Sequence, residues 1–133
     1  MESLRKTNVV IEFRHAKWVT DKALDLLREL NAGYCIVDMP QVRNLPSSRL
    51  EATSHIAYFR FHGQNAQKWA GAATRNERYD YEYSEDELSE WVEPITNVSK
   101  YADQTYVNFN NHYRGKAAKN AQMMKHLLGA AHP

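Results

Sequence analysis

The stretch "VVIEFRH", Val9 to His15, decides how this chain folds. A strand alternates its side chains between two faces. Val9, Ile11 and Phe13 then share one face, and Val10, Glu12 and Arg14 share the other. The run reads as a strand hidden from water on both sides, yet its second face starts apolar and turns charged where the chain leaves the sheet. The pattern returns along the chain. In "IAYFRFHG", Ile56 to Gly63, residues Ala57, Phe59 and Phe61 oppose Tyr58, Arg60 and His62. In "TYVNFNN", Thr105 to Asn111, Val107 and Phe109 oppose Tyr106, Asn108 and Asn110. In "YCIVD", Tyr34 to Asp38, Asp38 falls on the parity of Tyr34 and Ile36, at the C-terminal end of the strand.

Helical segments separate these strands. In "VTDKALDLLRELNAG", Leu24, Leu27 and Leu30 fall at helical spacing, Thr20 or Asp21 caps the start, and Gly33 stops the helix. Pro40 and Pro46 mark an irregular connection between the second and third strands. "YSEDELSEW" carries Ser84 as N-cap with Glu87 three residues on, a capping box, and Tyr83 with Leu88 as a hydrophobic staple. Leu88, Trp91, Val92 and Ile95 form its buried stripe, and Pro94 is expected to end or kink it. "KAAKNAQMMKHLLG" follows Gly115 as a helix burying Ala121, Met124 and Leu128.

Strands that alternate with helices, with no tight hairpins, make an α/β chain of βαβ units around a parallel sheet. Such a sheet is expected to be buried on both faces. An open doubly wound sheet has no need of a polar inner face on every strand. A closed barrel does, because inward side chains near its C-terminal mouth line the active site. A TIM-type (β/α)8 barrel needs about 250 residues and eight strands. With 133 residues and four strands, helices outside, this chain reads as one domain, 1–133, and as half a barrel.

Composition narrows the partners. The chain is 43% hydrophobic and 25% charged, with a formal net charge of +1, which gives no general attraction to nucleic acid or anionic membrane. No apolar run approaches the length of about 18 residues that spans a bilayer, and the start "MESLRKTNVV" does not read as a secretory signal. Cys35 is the only cysteine, so no intrachain disulfide forms, and a reducing cytoplasm is the expected location. Within its apolar run it reads as a buried core thiol rather than a nucleophile.

The segments "VIEFRHAKW" (Val10 to Trp18), "CIVDMP" (Cys35 to Pro40), "AYFRFHG" (Ala57 to Gly63), "YDYEYSEDELSEW" (Tyr79 to Trp91) and "YVNFNNHYRGKAAKNA" (Tyr106 to Ala121) occur in this order. Together they resemble the YecE-like family, domain of unknown function 72, from about Asn8 to Leu128. The resemblance implies a TIM-barrel-like fold of which these are the last four strands, the C-terminal half, with no counterpart here of the family's N-terminal half. Gln64 stands where the family often has Arg. The resemblance implies no reaction.

The residues suggest a polar or anionic ligand site. Glu12, Asp38 and His62 are the proton-transfer candidates, read as inward-facing, and Arg14 and Arg60 can hold a carboxylate or phosphate bidentately. Asn108, Asn110 and Asn111 can orient substrate, Tyr81 can stack on it, and the long loop 64–83, with Trp69, Arg75 and Arg78, can serve as a lid. The competing reading is mutual neutralisation, Glu12 with Arg60 and Asp38 with Arg14. A divalent metal on Glu12, Asp38 and His62 is disfavoured by the two arginines, which compete for the carboxylates and repel a cation, so no metal and no cofactor is assigned. His15 is expected to pack or cap, His112 to lie in the turn after the fourth strand, and Trp18 to pack where the first strand turns into the helix. Half a barrel also has raw sheet edges and an uncovered inner face. Its expected partner is a second copy or a separate N-terminal half-barrel chain, or else the chain is a non-catalytic fragment or assembly subunit. Glu77, Asp80 and Glu82 cancel the basic charge of the loop and argue against nucleic acid.

Overall fold

The computed structural model describes residues 8–40, 49–66, 80–111 and 115–132. Four strands form one sheet in the order β1-β2-β3-β4: β1 (Val10–Ile11), β2 (Gly33–Asp38), β3 (Ile56–Phe61) and β4 (Gln104–Phe109). Every neighbouring pair is parallel. Helix α1 (Asp21–Leu30) lies between β1 and β2, α2 (Glu85–Ser99) between β3 and β4, and α3 (Lys116–Ala131) follows β4. This is an α/β half (β/α) barrel.

Alternation along the strands separates two layers. Tyr34, Ile36, Ala57, Phe59 and Phe61 pack with Leu24, Leu27, Leu88, Ile95, Val98 and Met124 of the helices in the main core. Phe61 stacks on Phe109 with ring centroids 4.8 Å apart and meets Trp91 edge-on at 5.1 Å. The opposite, inner face carries a smaller cluster of Cys35, Val37 and Met39, with Val10 and Tyr58 against it. Only β2 is buried on both faces. β4 alternates exposed and half-buried residues, leaving Tyr106 47% exposed, and β1 is two residues long. The expected long, doubly buried first strand is therefore corrected: β1 is an edge with one neighbour, and the inner face beside it is open.

The helix ends follow local chemistry. The Thr20 hydroxyl accepts from the Ala23 amide at 3.1 Å and caps α1. The stop is Asn31, left-handed at φ 53°, rather than Gly33, which opens β2 instead. Space at Gly33 is tight, since a Cβ would lie 3.2 Å from Val10 Cγ2 and 3.3 Å from Ser54 Oγ, and both side chains would have to give by a few tenths of an ångström. The capping box of α2 is present, with the Ser84 hydroxyl accepting from the Glu87 amide at 3.1 Å and the Glu87 carboxylate from the Ser84 amide at 3.0 Å. Pro94 does not end this helix, which runs on to Ser99. In α3 the buried residues are Asn120 and Met124, while Ala121 is exposed and Leu128 half-buried. Trp18 is 56% exposed instead of packed, with Lys17 Nζ 5.1 Å from its ring.

Candidate functional site

One carboxylate gathers groups from all parts of the sheet. Glu12 follows β1 directly, His62 follows β3 and Asn110 follows β4; the register puts His62 level with Asn110 and Glu12 level with Cys35 and Tyr58, so the Glu12 side chain reaches along the inner face to its partners. Glu12 Oε1 lies 3.0 Å from Arg60 Nη1 and 3.3 Å from His62 Nε2, and accepts from the Cys35 thiol at 3.5 Å. Glu12 Oε2 lies 2.8 Å from Arg14 Nε, close enough for an ion pair although the angle is poor for a hydrogen bond. His62 Nδ1 is 3.3 Å from the Asn110 side-chain amide nitrogen. An amide nitrogen can only donate, so Nδ1 accepts and the Nε2–H donates to Glu12.

Burial and charge work against each other at Glu12, whose side chain is 10% exposed. Burial raises its carboxyl, but the hydrogen bond and polarity of the His62 ring and the guanidinium charges of Arg60 and Arg14 outweigh it and hold the carboxyl at about 2. His62 is fully buried; Arg60 is 28% exposed and Arg14 58%, so the guanidiniums are the groups that reach solvent. A cavity of about 290 Å³ opens beside them on the inner face, lined by Asn8, Val10, Glu12, Cys35, Tyr58 and Arg60. Cys35 is buried, and its thiol is pushed up by burial and by the Glu12 carboxylate, which suits a hydrogen-bond donor and not a nucleophile.

The structure thus brings together Glu12, Arg14, Arg60, His62 and Asn110. Asn108 shares the inner face, two residues along β4, and its amide donates to the Tyr58 hydroxyl. Asp38 does not join them. It shares the parity of Tyr34 and Ile36, which is the helix-packed face, and accepts from the Tyr83 hydroxyl at 2.7 Å. Its reading as an inward residue is corrected on that ground. Burial raises its carboxyl, against the lowering by hydrogen bonds from Gln64 and Tyr83. Asp38 lines a separate cavity of about 330 Å³ with Gln64, Tyr83, Glu87, Glu90 and Trp91. With Asp38 on the other face the Glu12–Asp38–His62 metal triad is not assembled, and among the described residues no group of three or more His, Cys, Asp or Glu is placed to hold a metal ion. The expected neutralisation of Asp38 by Arg14 is likewise replaced, since Arg14 pairs with Glu12.

Tyr81 and Asn111 also stand apart from the cluster. The Tyr81 hydroxyl donates to Glu87 at 2.6 Å and is pushed up to about 12 by burial and by that carboxylate. Its Cβ lies 2.7 Å from where a side chain at Gly63, φ 97°, would begin. Asn111 is fully buried; its amide donates to the Tyr81 carbonyl at 2.7 Å and to Asn120 Oδ1 at 2.8 Å. Asn120 in turn accepts from the Tyr83 amide and donates to the Tyr83 carbonyl, both at 3.0 Å. These contacts fasten the segment before α2. Sequence reasoning missed Asn120, although a lone amide four residues before Met124, on the buried stripe of a helix, was the available signal. His15 caps the short turn Ala16–Trp18, its Nδ1 accepting from the Lys17 amide. Trp69, Arg75, Arg78, His112 and most of the lid-like loop 64–83 lie outside the described residues.

A parallel half (β/α) barrel with its ionic cluster at the C-terminal strand ends defines the class of protein. The chain belongs to the family described as "Protein of unknown function DUF72", whose model matches residues 1–133. That match corrects the expectation that only a C-terminal half of the family is represented: the assignment holds for the whole chain. Over 128 residues it is 28% identical to the UPF0759 protein YunF of Bacillus subtilis (strain 168), covering 89% of this chain and 45% of YunF. A solved DUF72 family protein from Thermotoga maritima MSB8 matches with TM-score 0.87 at 40% identity, over 96% of this chain and 50% of that one. Another from Enterococcus faecalis V583 matches with TM-score 0.86 at 29% identity, over the same shares. The chain spans about half the length of these relatives. No described helix is long and apolar enough to cross a membrane.

Proposed function

We propose that the chain supplies the proton-transfer and anion-holding half of a barrel enzyme acting on a small polar or anionic substrate. The observation that carries this reading is the Glu12 cluster, one ionised carboxylate meeting an imidazole and two guanidiniums at the C-terminal ends of parallel strands. Barrel enzymes keep their chemistry at that end. Glu12 itself is a poor base, because a carboxyl held at about 2 has little tendency to take a proton near neutrality. Its role is to accept from Nε2 of His62 and fix the ring, which makes His62 the proton-transfer group at Nδ1 once the Asn110 amide turns aside. Arg14 and Arg60 hold the anionic end of the substrate. Asn108 and Asn110 orient it. Asp38, on the helix side of the sheet and held by the Tyr83 hydroxyl, has no part in this site.

The inner face carries exposed Tyr106 and Asn108, which supports a site completed by a second half-barrel. The lone buried thiol fits a reducing compartment, the cytoplasm. A non-catalytic assembly subunit is the second reading, favoured by that same open face. Titration with inorganic phosphate and with succinate, followed calorimetrically, separates the two. The enzyme reading expects binding of at least one probe, weakened at least about tenfold by Arg60→Ala, the loss of one charge-assisted contact. Absence of binding by both probes, or equal binding by wild type, Arg60→Ala and His62→Ala, overturns it.

A further inference from the structure

On the outer, helix side of the sheet a groove of about 660 Å³ lies between α1 and α2, beside the connection that leads into β3. A parallel sheet is ordinarily covered by a helix from each connection, yet among the described residues no helix stands between β2 and β3. The groove occupies that place in the helix layer. It is built from α1, the β2–β3 connection and α2, so its shape owes nothing to the edge of β1. Its floor is Leu50, 49% exposed, with Ala52. Glu90, Glu93, Pro94, Asn97 and Val98 follow one another at helical spacing along α2 as a wall about 12 Å long. Tyr101, 82% exposed, stands just beyond the end of that helix. Large apolar groups gathered in one groove mark an interaction surface, where scattered ones would not.

We propose that this groove seats a cationic amphipathic helix of a partner protein, its apolar stripe on Leu50, Val98 and Tyr101 and its Lys or Arg side chains against Glu90 and Glu93. Charge selects this occupant. Arg28, the base among the described residues of the groove, is already engaged by Asp25 at 2.7 Å and by Glu51 at 2.9 Å. Glu90 and Glu93 are exposed and have no ion-pair partner among the described residues. Their helix carries Glu85, Asp86, Glu87, Glu90 and Glu93 but no Lys or Arg. Pro94 adds an acceptor. It has no N–H, so the Glu90 carbonyl is denied its helical hydrogen bond between two residues that line the groove. Two carboxylates and a carbonyl beside apolar surface match a helix with a basic flank and would repel an acidic one. This surface shares no residue with the Glu12 cluster.

The test titrates the full chain against two synthetic helices about four turns long, followed by fluorescence anisotropy of a terminal label. Both probes carry the same leucine stripe; one has lysine on its polar face and the other glutamate. The lysine helix is expected to bind at least about tenfold more tightly than the glutamate helix, and to weaken as salt is raised. Glu90→Lys combined with Glu93→Lys is the decisive variant, expected to weaken the lysine helix at least about tenfold and to strengthen the glutamate helix. Tyr101→Ala is the second, expected to weaken both helices at least about tenfold, as for an interface anchor. Far-UV circular dichroism checks that each variant is folded; should the double variant fail, Tyr101→Ala decides alone. No binding of the lysine helix, equal binding of the two helices, or binding that the folded variants leave unchanged overturns the proposal. Self-association of the chain that the charge reversal abolishes overturns it as well, because the groove then seats a second copy.

Discussion

Replacing Glu12 with Gln removes one negative charge and keeps the shape of the side chain. A carboxyl moved from its ordinary 4.5 to about 2 is stabilised in the fold by ~3 kcal/mol, at about 1.4 kcal/mol per pH unit. The depressed value means that the native state holds the ionised form more tightly than the unfolded chain does. That contribution is complete above about 4.5 and is lost as the pH falls towards 2. Part of it returns as water solvates Arg14 and Arg60, the more exposed partners, so Glu12→Gln is expected to cost ~2 kcal/mol at pH 7. Below pH 4.5 the gap between the two proteins should narrow steadily, because the wild type gives up by protonation what the variant lost by substitution. Urea unfolding at pH 7, 5, 4 and 3, with both proteins in the same buffers, measures this directly. A difference under about 0.5 kcal/mol at pH 7, or one that stays constant down to pH 3, refutes the account of Glu12 as the shared anion of the cluster.

Asp38→Asn should behave in the opposite sense. Because the Asp38 carboxyl is raised, its ionisation disfavours the fold as pH rises through the folded value, so the amide, still able to accept from Tyr83, should leave stability at pH 7 unchanged or higher by chemical unfolding. Gly63→Ala should cost at least ~2 kcal/mol by the same measurement, since φ is 97° and the new Cβ meets Tyr81 Cβ at 2.7 Å; a loss under about 0.5 kcal/mol contradicts the packing described.

Periodicity made the sheet legible. Alternation in "YCIVD", "IAYFRFHG" and "TYVNFNN" located three strands within a residue or two, and Ser84 with Glu87 located the start of α2, because each signal is local. Facing was legible only where parity was followed strictly. Arg60, His62 and Asn110 went to the inner face by counting, and they are there. Asp38 went there by its charge although it counts with Tyr34 and Ile36, and the packing of those two against the helices decides otherwise. Its partner Tyr83 stands 45 positions away in sequence, a relation that no local pattern expresses. The same holds for Asn111, whose amide is used up by Tyr81 and Asn120. The length of β1 was overread because an apolar run reports burial, whereas only Val10 and Ile11 pair with β2, which no local pattern expresses.

Glu12 touches side chains of β2 and β3 directly, and reaches past β4 through His62 to Asn110. A one-residue slip of any strand would turn its contribution to the far side and strand the carboxylate among greasy neighbours. The cluster therefore doubles as a proofreader of alignment during assembly. It also limits recombination: a βα quarter transplanted from a relative must bring a matching partner for this anion, or the hybrid sheet loses its reference point.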